Sequence, residues 1–343
     1  MKTAVLICPG RGTYNKEELG VLGRRFPDAA LLAAFDMARR AGGQASLTEL
    51  DAADRFLSAL HLRGDNASGL IYAASLGDAL SIDRDEIEVV AVTGNSMGWY
   101  TALACGGAVD AETGFEIVNT MGRWMHEDGA GGQTLYPFAG DDWRDGDGHR
   151  ARLLDLVAEI GARPDHALSL SINLGGLLVL AGNEAGLAAF EAAVPKRDRF
   201  PLRLPGHAGF HSGLVADVSA RALSHFGASL FRQPDIPMID GRGAIWWPGA
   251  ARPEALRDYT FGHQVVQPYD FTRAVTVAAR EFAPDLFIVT GPGTTLGGAV
   301  AQSLVQAEWR GMATKDDFQA AQTAAPLLIS MGRDDQRQRV TKG

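Results

Sequence analysis

The sequence predicts an α/β protein: a large domain on a mainly parallel sheet, interrupted by a small inserted domain. Three observations carry that expectation. Short β-branched apolar runs alternate with segments of helical spacing in both the first and last thirds of the chain. The middle third instead reads strand-helix-strand-strand-helix-strand. Between them, Val89-Val90-Ala91-Val92-Thr93 runs into Gly94-Asn95-Ser96-Met97-Gly98 and then into a helical segment, so a strand meets a helix through a glycine-bracketed serine.

Taken in order, residues 4–8 form a buried strand stopped by Pro9-Gly10-Arg11-Gly12. Helical spacing follows at 29–40 and 68–80, a second buried strand at 88–93, and helices at 98–105 and 111–127. Asp128-Gly129-Ala130-Gly131-Gly132 reads as a linker. Beyond it lie a strand at 134–138, a helix at 150–161, strands at 167–172 and 177–181, a helix at 184–194 and a strand at 199–204, the order of a ferredoxin-like unit. Pro205-Gly206 closes it, and the parallel pattern resumes with strands near 237–240 and 286–290. The expected division is therefore 1–128 with 206–343 as the large, hydrolase-like domain and 129–205 as the insert. The polar tail after Gly332 is expected to fray.

The composition narrows the function classes. With 41 acidic and 32 basic residues the formal net charge is −9, which disfavours nucleic acid as a partner. The two cysteines, Cys8 and Cys105, supply neither a disulfide framework nor a metal-binding pattern. The apolar run before Pro9 is too short for a signal peptide, and no run approaches a membrane span. A cytoplasmic protein without membrane partners is expected.

Gly94 and Gly98, two residues either side of Ser96, permit the tight turn that lifts a serine Oγ above a sheet at a helix N-terminus. The next N–H, on Met97, is placed to donate to an oxyanion. An ordinary esterase carries its histidine late in the chain, yet none follows His263. His211, just past the insert, is the candidate base. Gly10-Arg11-Gly12-Thr13-Tyr14-Asn15 lacks the third glycine of a dinucleotide fingerprint, which sets a nucleotide-binding reading aside.

Several motifs in order resemble the malonyl-CoA:acyl carrier protein transacylases and the acyltransferase domains of polyketide synthases. They span roughly residues 2–304. Pro9-Gly10-Arg11-Gly12 resembles that family's Pro-Gly-Gln-Gly, and Gly94-Asn95-Ser96-Met97-Gly98-Trp99-Tyr100 its Gly-His-Ser-Leu-Gly-Glu-Tyr. Phe210-His211-Ser212 is similar to its histidine motif. Asn173 stands ahead of a strand as the family's asparagine does, Gln264 precedes Pro268, and Gly291-Pro292-Gly293 matches its late turn. The resemblance implies attack of Ser96 on an acyl-CoA thioester with His211 as base. It also implies an oxyanion hole from the Met97 and Arg11 N–H groups, and orientation of His211 by the Gln264 carbonyl. The phosphopantetheine thiol of an acyl carrier protein would accept the acyl group, with no permanently bound cofactor. An editing thioester hydrolase of the same fold is the alternative, while retention of both Ser96 and His211 argues against a non-catalytic scaffold.

The substrate wall departs from the family. Its malonate-binding arginine aligns with Met121, its helix-starting glutamine with Asn66, its histidine with Asn95 and its glutamate with Trp99. These positions, with Asn173 and Phe210, are the expected substrate-binding set. A thioether cannot offset a buried carboxylate, so a neutral acyl group is one reading. Malonyl held by Arg11 is the other. Lys196, Arg197 and Arg199 form a candidate basic rim for an acidic carrier protein.

Overall fold

In a computed structural model, which describes residues 1–342, the strands, numbered along the chain, fall in two sheets. The large sheet holds β1 (Lys2–Cys8), β2 (Ile87–Gly94), β7 (Met238–Ile239), β8 (Ile245–Trp246), β10 (Leu286–Val289) and β11 (Leu328–Ser330). Their order is β11-β10-β1-β2-β7-β8, and only the β7–β8 pairing is antiparallel. β1 and β10 are apolar on both faces because helices cover both sides, as a parallel sheet requires. The α/β expectation therefore holds.

The long helix Gly64–Ser81 is buried nearly all round. It packs against Ala111–Glu127 at Gly64 and Gly122, where a Cβ on either would come within 2.8 Å of the other's carbonyl oxygen. That close approach holds Met121, buried at 2% exposure, against the floor of the serine cleft.

The small sheet holds β3 (Gly132–Pro137), β4 (Leu168–Leu174), β5 (Leu177–Gly182), β6 (Leu202–Arg203) and β9 (Tyr269–Asp270), ordered β6-β3-β5-β4-β9. Helices His149–Gly161 and Glu184–Ala193 follow β3 and β5. They cover one face through Tyr136, Phe138, Leu178, Leu180, Ile160 and Phe190. The other face turns Leu135, Ile172, Leu177 and Val179 towards the cleft. β4 carries a bulge at Ser171, where its register against β5 shifts.

Three features differ from the sequence reading. The strand expected at 199–204 shortens to Leu202–Arg203. The two-residue β9, too short to show a period, runs parallel to β4 and ties the small sheet to the segment after Gln264. The tail beyond Gly332 is docked rather than frayed. It forms the helix Asp334–Arg337, Arg337 pairs with buried Asp78 at 3.1 Å, Val340 is buried, and Thr341 bridges to Ile82. Its polar composition reads as solvated, but buried Asp78 needs a cationic partner and Arg337 supplies it.

Candidate active site

At the end of β2 the chain turns so sharply that a Cβ on Gly94 would lie 2.2 Å from the Gly98 carbonyl, and one on Gly98 would lie 2.1 Å from the Cys8 carbonyl oxygen. Only glycine fits at either place. Ser96, at the apex, adopts φ +55°, a left-handed conformation costly for an L-residue. The helix Gly98–Cys105 starts two residues later and aims its positive end at the turn.

Ser96 Oγ lies 2.7 Å from His211 Nε2. His211 Nδ1 lies 2.6 Å from the Gln264 carbonyl oxygen, which fixes the tautomer: Nδ1–H donates to the carbonyl and Nε2 is left to accept from the serine. His211 is itself left-handed, at φ +57°, and its N–H donates to Val265 O at 3.0 Å. Burial pushes its pKa down to about 4, partly offset by the Gln264 carbonyl, so the ring is neutral at pH 7. Gln264 acts at both ends: its Nε2 donates to Ser96 O at 3.0 Å, and its Oε1 accepts from Tyr100 OH at 3.2 Å. The π-helical turn Tyr259–His263 delivers Gln264 to this position. Among the described residues, the backbone N–H groups of Met97 and Arg11 have no protein acceptor.

Two clefts meet at Ser96. The narrower, about 450 Å³ with its mouth, is lined by Met121, Val118, Met125, Ser68, Phe210 and His211 among others. The wider, about 1700 Å³, runs beneath the small sheet. Arg11 and Phe210 border both. Arg11 donates to Leu62 O at 2.8 Å and Gly206 O at 3.2 Å, and burial lowers its pKa to about 10 against an opposing pull from Asp65. Asp65 is ion-paired with Arg63 at 3.0 Å, and among the described residues no carboxylate reaches Arg11 within ion-pair distance.

The structure thus brings together Ser96, His211, Gln264, Met97, Arg11, Met121 and Phe210, with Asn95 on the wider cleft. Three expected substrate residues lie elsewhere. Trp99 is fully buried, donates to Thr260 Oγ1 at 3.0 Å and packs edge-on against Tyr259, because the turn points it away from the cleft. Asn66 accepts from Arg39 at 2.6 Å and donates to Leu60 O at 3.0 Å, so it holds helices together. Asn173 donates to Asp270 Oδ1 at 2.9 Å, joining β4 to β9. Arg123 faces a separate cleft with Glu112 and Glu116. The sequence reading missed Tyr269, whose hydroxyl donates to Gly94 O at 2.6 Å and whose ring flanks His211. Among the described residues, no group of three or more His, Cys, Asp or Glu could hold a metal, and no helix is long and apolar enough to cross a membrane.

No protein-family model matches the chain. A solved acyl-carrier-protein S-malonyltransferase from Burkholderia pseudomallei superposes with a TM-score of 0.74, at 22% identity, over 99% of both chains. The chain has the malonyl-CoA:acyl carrier protein transacylase fold. A type II polyketide-synthase acyl-carrier protein in complex with its malonyl-transacylase contains the same fold, with a TM-score of 0.69 at 21% identity over 89% of this chain and 93% of that one. By sequence, the malonyl CoA-acyl carrier protein transacylase of Salmonella typhimurium is 27% identical over 214 residues, 60% of this chain. The match spans 63% of that relative's length. In this transacylase fold the cleft between the two sheets is where Ser96 and His211 meet.

Proposed function

We propose that this chain transfers an acyl group from acyl-CoA to the phosphopantetheine thiol of an acyl carrier protein, through an acyl ester on Ser96. The observation that carries the reading is the continuous line from Ser96 Oγ through His211 to the Gln264 carbonyl, at 2.7 and 2.6 Å, on a strained elbow facing a cleft. Ser96 Oγ attacks the thioester carbonyl while His211 Nε2 takes its proton. The Met97 and Arg11 N–H groups receive the oxyanion, and CoA leaves as a thiol with the proton returned by His211. The carrier's thiol then attacks the ester by the same steps in reverse. Gln264 lends a neutral carbonyl where a serine triad uses a carboxylate, so it orients the ring with less stabilisation of the imidazolium. No resident cofactor is required. We assign residues 1–128 and 206–343 to the large domain and 129–205 to the small one; the separate apolar core beneath the small sheet supports that division. The solved carrier-protein complex supports the choice of acceptor.

The acyl group is proposed to be neutral, because Met121 and its neighbours Val118 and Met125 make that side of the narrower cleft apolar. One observation favours malonyl instead: Arg11 is a half-buried cation with only carbonyl partners, on the same cleft. Intact-protein mass after incubation with acetyl-, longer neutral acyl- and malonyl-CoA tests both. Ester on Ser96, absent in Ser96→Ala, supports acyl transfer, and acylation elsewhere refutes it. Faster malonyl loading, lost selectively in Arg11→Gln, identifies Arg11 as the receptor. An acyl-enzyme that decays in water before any thiol is added points to the hydrolase.

A further inference from the structure

The inner face of the small sheet is aliphatic except at the edge nearest His211, where two polar side chains are almost completely buried: Gln133 on β3 at 1% exposure and Ser171 on β4 at 0%. β5 lies between those strands, so their backbones are about 10 Å apart. The β5 residue at that level is Ala181, paired with Gln133 on one side and Ser169 on the other. Its methyl leaves room for Gln133 to reach across, and the bulge in β4 presents Ser171 to meet it.

The hydrogen bonds run in one direction. Gln133 Oε1 lies 2.7 Å from His207 Nδ1, so it accepts from the ring N–H. Gln133 Nε2 donates to Ser171 Oγ at 2.7 Å, and Ser171 Oγ–H donates to Phe210 O at 2.8 Å. That last carbonyl belongs to the peptide bond leading into His211. The N–H of the same peptide donates to Val265 O at 3.0 Å. The peptide plane is therefore gripped at both ends, and its orientation sets the φ of His211, which stands at a strained +57°. Such a conformation persists only where surroundings over-determine it.

We propose that Ser171 and Gln133 are positioning residues for His211, acting through the Phe210–His211 peptide to hold the imidazole in line with Ser96. The inference rests on the Ser96–His211 pair but not on the identity of the acyl group or carrier. Ser171 clamps the carbonyl. Gln133 commits the Ser171 hydroxyl proton to that carbonyl by occupying its acceptor side, and His207 fixes which end of Gln133 faces the serine. A fully satisfied buried chain of this kind has one low-energy arrangement, whereas a broken one leaves buried groups unpaired.

The test uses a fluorophosphonate probe, which needs an activated serine but no CoA or carrier. Ser96 Oγ forms the bond to phosphorus, fluoride leaves, and His211 takes the serine proton. In Ser171→Ala and Gln133→Met the saturating labelling rate should fall about tenfold with the half-saturating probe concentration unchanged, as expected for a misplaced base rather than a lost binding site. Ser171→Thr, which keeps the hydroxyl, should label within about threefold of wild type. The double variant should be no slower than the slower single, because both break one relay. Wild-type rates in both single variants overturn the proposal. So does a Ser171→Thr as slow as Ser171→Ala together with a double variant that multiplies the two losses, the mark of independent packing defects. If Ser171→Ala fails to fold by circular dichroism, Gln133→Met decides alone. An unlabelled wild type overturns the Ser96–His211 reading itself and this inference with it; a labelled wild type with unaltered variants overturns this inference only.

Discussion

On one side of the cleft the backbone sets the geometry: Ser96 on a turn only glycines permit, His211 against the Gln264 carbonyl, and the Met97 and Arg11 N–H groups left without a protein acceptor. On the other side the surface is made of side chains, Met121, Val118, Met125 and the Arg11 guanidinium, held by helix packing and two carbonyl contacts. Backbone scaffolding tolerates sequence change around it, whereas a side-chain wall can be remodelled one residue at a time. That contrast suits a chain whose resemblance to the transacylases holds at Ser96 and His211 and departs at Met121.

The sharpest break would come on the backbone side. Ser96→Ala should abolish acylation detected by intact mass, since no other nucleophile occupies the elbow. His211→Ala should slow acylation by about 10²–10⁴-fold, the usual worth of a general base, measured by single-turnover loading. His207→Ala, three hydrogen bonds removed from the Phe210 carbonyl, should cost far less; a larger loss there would show that the wrong histidine has been assigned.

The pH dependence sharpens the same side. His211 must be neutral to accept the serine proton, and burial lowers its pKa to about 4. Acylation should hold level from neutral pH down to about 5 and fall as pH drops through about 4. A midpoint near the ordinary histidine value in a single-turnover pH profile would show the ring to be solvated. The same depressed pKa means that stability is fully present above the unfolded value of 6.5 and is lost as pH falls towards 4.

On the side-chain wall, Met121→Arg should shift loading from acetyl towards malonyl by about 1.5–3 kcal/mol, read as the ratio of the two loading rates. No shift, with wild type already preferring malonyl, would place the cation on Arg11. The smallest effect concerns the rim. Lys196, Arg197 and Arg199 are exposed, and Arg199 borders the wider cleft. Charge reversal there should slow carrier-dependent transfer a few-fold at low salt, by roughly the worth of electrostatic steering, and not at high salt. Unchanged kinetics at low salt would remove these residues from the docking face.

The sequence by itself determined the elbow, the strand–helix alternation and the candidate base. Each of these is written within a few residues: glycines at fixed offsets from a serine, β-branched runs, a histidine beside a turn. It did not determine which substituted positions face the substrate. Trp99 lies within the serine motif and Asn66 near the start of a helix, yet the packing turns both into the core, because a side chain's direction depends on how its helix is rotated against its neighbours. The pairing of His211 with the Gln264 carbonyl, 53 residues away, and the reach of Gln133 across Ala181 to Ser171 exist only once two sheets are in place. Contacts between residues far apart in the chain leave no local period to read: the first was expected only through the family resemblance, and the second was decided by tertiary structure alone.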